Sequence, residues 1–140
     1  MHFLKIAIAT LALLFAGCSS DGAVQEIELH HRVWQAQQIH DYAYTISGHC
    51  FCGFGGRGRV VVEQSEVVLA TNESLAYTID GLFEQMSSRA STDPPTLTVS
   101  YDPTFAYPNA FDTDRGLNDS QWGFAIDCFS LDTDGCQLSE

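Results

Sequence analysis

The chain has 140 residues and a formal charge of −12, from 18 acidic side chains against six Lys and Arg. That length holds one domain. Nucleic-acid binding needs clustered positive charge to release counterions, and electrostatic attachment to anionic lipid needs a polybasic patch. Neither is present, so both classes are excluded.

The first stretch stands apart from the domain. MHFLK is a short basic start, and residues 6–16, IAIATLALLFA, are an 11-residue run that is apolar apart from Thr10. That is too short for a membrane-spanning helix and suits the core of a signal peptide. It ends in Phe15-Ala16-Gly17-Cys18. Small residues before a cysteine resemble the bacterial lipoprotein signal. The resemblance implies a signal peptide over residues 1–17, diacylglycerol on the Cys18 sulfur and acylation of the new amine, the modification usually grouped under palmitate. Two or three acyl chains anchor stably where one is marginal. Ser19 rather than Asp after the cysteine points to an outer membrane, facing the periplasm. Residues 18–23 then form a lipidated tether and residues 24–140 a single folded domain. The only lysine is Lys5, so the mature chain keeps five arginines (Arg32, Arg57, Arg59, Arg89, Arg115) against the same 18 acids, a formal −13. Such acidity keeps a protein soluble; its sharper reading is affinity for a cation or a basic partner.

Residues 24–39 repeat apolar positions at helical spacing. Val24, Ile27, His31, Trp34 and Gln38 share a stripe that Leu29, Val33 and Ala36 widen. Residues 42–52 alternate as a strand does, with Tyr42, Tyr44 and Ile46 on one side. Residues 59–64 and 66–71 are two β-branched strands with Gln64-Ser65 between them. Neither turn residue favours positive φ, which predicts a looser turn than a two-residue primed one. Over 78–90, Thr78 caps a helix that carries Asp80 in its first turn, with Ile79, Leu82, Phe83 and Met86 on one face. Residues 96–101 and 122–129 read as a fourth and a fifth strand, with a 20-residue loop, 102–121, between them. The order is helix, three-strand meander, helix, two strands. It predicts a two-layer α+β domain, an antiparallel sheet of about five strands packed by two helices.

Four groups of residues carry a likeness to a known family: Trp34; Asp41-Tyr42-Ala43-Tyr44; Cys50-Phe51-Cys52; and Tyr101-Asp102-Pro103 followed by Tyr107-Pro108 and Asp114. Together they resemble the bacterial family of secreted proteins and lipoproteins known as domain of unknown function 6174, over roughly residues 30–130. The family often has Gly where this chain has Ala106, and an acidic residue plus Gly where it has Gln64-Ser65. The resemblance implies a fold and a location and adds no reaction.

The remaining motifs each allow a chemistry. Gly53, Gly55 and Gly58 spell the G-x-G-x-x-G of a nucleotide loop, but a strand follows instead of the helix that would hold phosphate. No nucleotide is expected, and Arg57 and Arg59 are read as solvated or paired with acids. Besides Cys18, four cysteines remain: Cys50, Cys52, Cys128 and Cys136. In an oxidising compartment they predict two disulfides with three connectivities open. Tying Cys50 and Cys52 to the C-terminal pair is attractive, because it closes a loop of more than 70 residues. The rivals are a metal at Cys50-x-Cys52 with His49, and thiol–disulfide exchange by that pair. Asp102, Asp112, Asp114 and Asp119 are candidate ligands for a hard cation, or turn-closing residues. No Ser, His and Asp spacing marks a nucleophile with its base. The expectation is a lipid-anchored envelope module without enzyme activity or cofactor, binding an envelope protein. A calcium-binding module and a thiol-exchange protein are the alternatives.

Overall fold

The structure is a computed structural model that describes residues 20–50, 55–92, 96–114 and 121–139. It is α+β, with one six-stranded antiparallel sheet packed by two helices. Helix α1 is Ser20–Ala36; strands β1, Tyr42–Cys50, β2, Gly56–Glu63, and β3, Glu66–Ala70, follow. After a 3-10 turn at Glu73–Leu75 come α2, Ile79–Ala90, then β4, Thr96–Tyr101, β5, Pro108–Asp114, and β6, Trp122–Ser130. The strand order is β3-β2-β1-β6-β5-β4. Two three-stranded meanders therefore meet at their first and last strands, β1 against β6, and α2 connects the outer edge of one meander to the outer edge of the other.

Six strands stand where about five were expected, because β5 lies inside the presumed 20-residue loop. Its sequence, PNAFDTD, is poor in strand-forming residues. Tertiary pairing overrides that. β5 has β4 on one side and β6 on the other, so its amides are satisfied by two neighbours. Phe111 and Thr113 turn inward and Asp112 stays outside, the alternation of a strand buried on one face.

Helix α1 starts at Ser20, so it takes in four residues assigned to the tether, and it ends before Gln38, whose φ is +53°. Its buried stripe is narrower than the sequence indicated. Ile27 and Trp34 are buried, while Leu29 and Val33 are 54% and 46% exposed. Helix α2 has the expected cap and face. Thr78 Oγ1 accepts the Gly81 amide at 3.0 Å, and Ile79, Leu82, Phe83, Met86 and Ala90 are buried. The core lies between the helices and one sheet face, built from Tyr42, Tyr44, Ile46, Val60, Val62, Phe111, Trp122 and Phe124.

The β2–β3 turn also departs from expectation. Glu63 pairs directly with Glu66, and Gln64 and Ser65 both hold positive φ, +50° and +65°. This is a two-residue turn with neither Asn nor Gly in it. Residues before β1 support it from outside. The Ser65 amide donates to the His40 carbonyl at 2.9 Å, the Gln64 amide donates to Asp41 Oδ1 at 2.8 Å, and His40 Nδ1 meets Ser65 Oγ at 2.8 Å. Left-handed backbone costs a non-glycine residue about 1 kcal/mol. Ser65→Gly therefore stabilises the domain by about 0.5–1 kcal/mol, once the lost exposed hydroxyl contact is subtracted. An increase in the urea midpoint without a change in slope checks this.

Candidate functional site

Trp34, Tyr42, Tyr44, Tyr101, Asp102, Tyr107 and Pro108 assemble at one end of the sheet, where their roles are architectural, whereas Cys50 and Asp114 close β1 and β5 at the opposite end. Trp34 sits edge-on to Tyr42 and Phe129, with ring centroids 5.4 and 5.8 Å away, and its indole N–H donates to Asp80 Oδ2 at 3.3 Å. The Tyr42 hydroxyl accepts the Ile79 amide at 2.8 Å, so the first strand caps the second helix. The Tyr44 hydroxyl donates to the Tyr77 carbonyl. Tyr101, Asp102, Tyr107 and Pro108 form the β4–β5 hairpin turn. Asp102 Oδ2 accepts the Thr104 and Phe105 amides at 2.9 and 2.7 Å, and the Asp102 amide donates to the Tyr107 carbonyl at 2.8 Å. Ala106 holds φ +64° in that turn, a left-handed conformation that glycine adopts more readily than alanine. Burial first, then the neighbouring Asp102 carboxylate, pushes the Tyr107 phenol up to about 12.

Nearby, His31 Nε2 meets Asp80 Oδ1 at 2.7 Å and Gln35 Nε2 donates to the same oxygen at 3.2 Å. His31 stacks on Phe83 and His30 on Tyr101, with centroids 4.6 and 3.6 Å apart. These contacts join α1 to α2 and to the sheet.

The cysteines pair differently from the attractive arrangement. Cys128 bonds Cys136, with Cα atoms 5.6 Å apart. Strand register gives the reason. Cys128 lies opposite Thr45, whereas Cys50 lies opposite Trp122. Five residues of strand separate Thr45 from Cys50, about 16 Å, and a disulfide needs Cα atoms within about 7 Å. Cys50 is also disulfide-bonded. Cys18 and Cys52 lie outside the described residues.

The four aspartates do not form one site among the described residues. Asp112 and Asp114 project from the outer face of β5, and Asp112 lies opposite Thr98. Asp102 is four residues beyond Thr98, about 13 Å along the strand, with its carboxylate engaged in the turn. Asp119 lies outside the described residues. Among the described residues, no three His, Cys, Asp or Glu side chains converge as metal ligands.

The sheet face away from the helices carries the chemistry that sequence patterning missed. His49 on β1, Gly123 on β6 and Asp112 on β5 stand in one cross-strand row. His49 Nε2 reaches Asp112 Oδ1 at 3.1 Å, and Gln121 Nε2 donates to Asp112 Oδ2 at 3.4 Å. Gly123 makes the reach feasible. A Cβ there would lie 2.4 Å from the Phe111 carbonyl oxygen and 2.7 Å from the His49 ring. Gly123→Ala is expected to cost about 2 kcal/mol, as overpacking against backbone does, and to break the His49–Asp112 contact. A denaturant titration together with the His49 ring resonances measures both.

Two residues along β1, Ser47 Oγ donates to Asp127 Oδ2 at 3.0 Å, and Arg57 Nε approaches the same oxygen at 3.7 Å. Serine, histidine and aspartate thus share this face, but each polar group pairs with its own carboxylate. No serine hydroxyl meets an imidazole here, so the base-activated nucleophile that acyl transfer requires is not assembled among these residues.

Arg59 corrects the solvated reading. It is only 9% exposed, and no carboxylate among the described residues lies within ion-pair distance. Its guanidinium donates instead to backbone carbonyls of the C-terminal tail: Nη2 to Thr133 and Gly135 at 2.6 and 2.9 Å, and Nε to Gly135 and Cys136, both at 3.1 Å. Alternation along β2 places Arg59 on the outer face, but only the return of the tail buries it. Arg57 pairs loosely with Asp127, as expected.

The fold and this face define a two-layer α+β domain of paired meanders, with structural aromatic residues at one end and a polar outer face. The family model described as a family of unknown function (DUF6174) matches residues 26–130, and the chain belongs to that family. No curated protein and no solved structure matches the chain.

Proposed function

We propose that the protein is a lipid-anchored module of the cell envelope that binds a partner protein and catalyses no reaction. The observation that carries the reading is the junction at Cys18. The lipoprotein-type signal, Phe15-Ala16-Gly17-Cys18, is followed after one residue by α1, which starts at Ser20. An acylated Cys18 holds the domain close against the bilayer, and placement there is a role in itself. The outer face supports binding over catalysis, because Ser47 and His49 are each committed to a different aspartate. Its mixture of Arg57, His49 and aspartates suits a polar protein surface. The outer edges of β3 and β4 supply further backbone donors and acceptors.

The test is direct. In cells labelled with a clickable palmitate analogue, the wild-type chain takes up label and fractionates with membranes. Cys18→Ser takes up none and stays at precursor mass, whereas wild type with the lipoprotein signal peptidase inhibited also stays at precursor mass but keeps the label, because the sulfur is acylated before cleavage. An unlabelled wild-type chain in the soluble fraction refutes the anchor. Crosslinking from a photoreactive group at Ser47 should then capture one dominant envelope protein, and a ladder of many weak products counts against a specific partner.

A further inference from the structure

We propose that the Cys128–Cys136 disulfide is a thiol-operated latch over a carboxylate-binding site centred on Arg59. The inference is independent of the lipid anchor. A guanidinium buried without a carboxylate is costly unless its donors are satisfied. Here the chain's own tail satisfies them, through the carbonyls of Thr133, Gly135 and Cys136. The planar fork of Arg is shaped for the two oxygens of a carboxylate, and neutral carbonyls are weaker acceptors for it. The tail therefore acts as a resident stand-in for an anionic ligand.

A second polar group beside Arg59 lacks any partner. Thr45 lies directly opposite Arg59 on β1, is 2% exposed, and its Oγ1 makes no hydrogen bond. A buried hydroxyl left unsatisfied costs about 1–3 kcal/mol. With the tail withdrawn, Thr45 Oγ1 and the Arg59 fork face the same space and offer a carboxylate three donors.

The latch is built to be reached from solvent. Cys128 is exposed and Cys136 half-buried, in contrast to the arginine they cover. The tail has no helix or strand of its own, so what holds it is the disulfide, the Arg59 fork and short local turns. Gly135 packs so closely on Ser130 that a Cβ would lie 2.4 Å from Ser130 Oγ, and Cys136 holds φ +55°. Both features tie the tail to one folded-back path.

The opening step balances with a dithiol as reductant. One thiolate of the dithiol attacks Cys128 Sγ and displaces the Cys136 thiolate. The second thiolate then attacks the mixed disulfide and releases Cys128. The protein bond gains two electrons and two protons, and the dithiol leaves as its own disulfide.

The test uses the full chain with Cys128→Ser and Cys136→Ser together, which opens this bond and leaves the Cys50 disulfide intact. Loss of a nine-residue closed loop is expected to raise the tail-open population up to roughly 70-fold. Hydrogen exchange at Gly135, whose amide donates to the Asp132 carbonyl in the closed tail, reads that change. Glutarate, and separately an acetylated tripeptide with a free C-terminus, are then titrated against the Arg59 Nε–H resonance. At millimolar probe the resonance should move in the double variant, stay still in the oxidised wild type, and move again in wild type treated with dithiothreitol. Movement with glutarate alone assigns a small acid, and movement with the tripeptide a peptide terminus. Unchanged exchange at Gly135 overturns the latch. Released exchange with a silent Arg59 for both probes overturns the carboxylate site. Arg59→Lys in the double variant keeps the charge, loses the fork, and should weaken binding at least tenfold.

Discussion

Trp34→Ala is expected to destabilise the domain by about 3–5 kcal/mol, the cost of emptying a large aromatic site in a packed core. Trp34 is 2% exposed and sits where three elements meet. Its ring packs edge-on to Tyr42 of β1 and Phe129 of β6, and its N–H bonds Asp80 of α2. Removing it leaves a cavity that rigid aromatic neighbours cannot close, and leaves Asp80 with one donor fewer. Against a total stability of about 5–15 kcal/mol, that is a large fraction. Trp34→Phe keeps most of the packing and removes only the N–H, so it should cost roughly half as much. A chemical melt of both variants separates the two contributions. A loss below about 1 kcal/mol for the alanine variant would show that the α1 contact is dispensable.

The second large effect is alkaline unfolding. The chain has five tyrosines, and four of them keep their protons in the folded state well past their ordinary value near 10. Burial is the leading cause in each. For Tyr42 the hydrogen bond from Ile79 works in the opposite direction, and the Asp80 charge adds to burial. For Tyr101 the Glu26 charge adds to burial. The unfolded chain releases these protons above pH 10 while the folded chain retains them, so stability is fully present below pH 10 and falls as pH rises beyond it. Each tyrosine held neutral costs about 1.4 kcal/mol per pH unit in that range. The two core tyrosines, Tyr42 and Tyr44, thus cost about 3 kcal/mol per unit. Cooperative unfolding is expected between pH 11 and 12, with most phenolate absorbance appearing at the unfolding step. Smooth ionisation of all five tyrosines near pH 10 without loss of structure would contradict the burial described here.

Much of this molecule was legible because its apolar residues keep strict periods. The alternation Tyr42, Tyr44, Ile46 and the spacing Ile79, Leu82, Phe83, Met86 each admit one type of element, and both elements stand where the periods put them. The antiparallel pairing followed from short connections. Strand β5 was hidden because Asn109, Asp112 and Asp114 look like loop, and only two flanking strands make that backbone a ladder. The turn at Gln64-Ser65 was hidden for a related reason. Its positive φ values are paid for by His40 and Asp41, 23 to 25 residues earlier in the chain.

By itself the sequence determined the membership in its family, through its motif residues, and the α+β class, both helices and five of the strands, through local period and local capping. It also contained every residue of the outer face. Tertiary structure alone decided which of them meet. His49 reaches Asp112 because β6 places Gly123 between them, and Cys128 finds Cys136 because register carries Cys50 to the far end of its strand. Arg59 is buried because the tail folds back over it. Contacts between strands depend on register and strand order, which are set by the whole core at once and leave no mark in a local pattern.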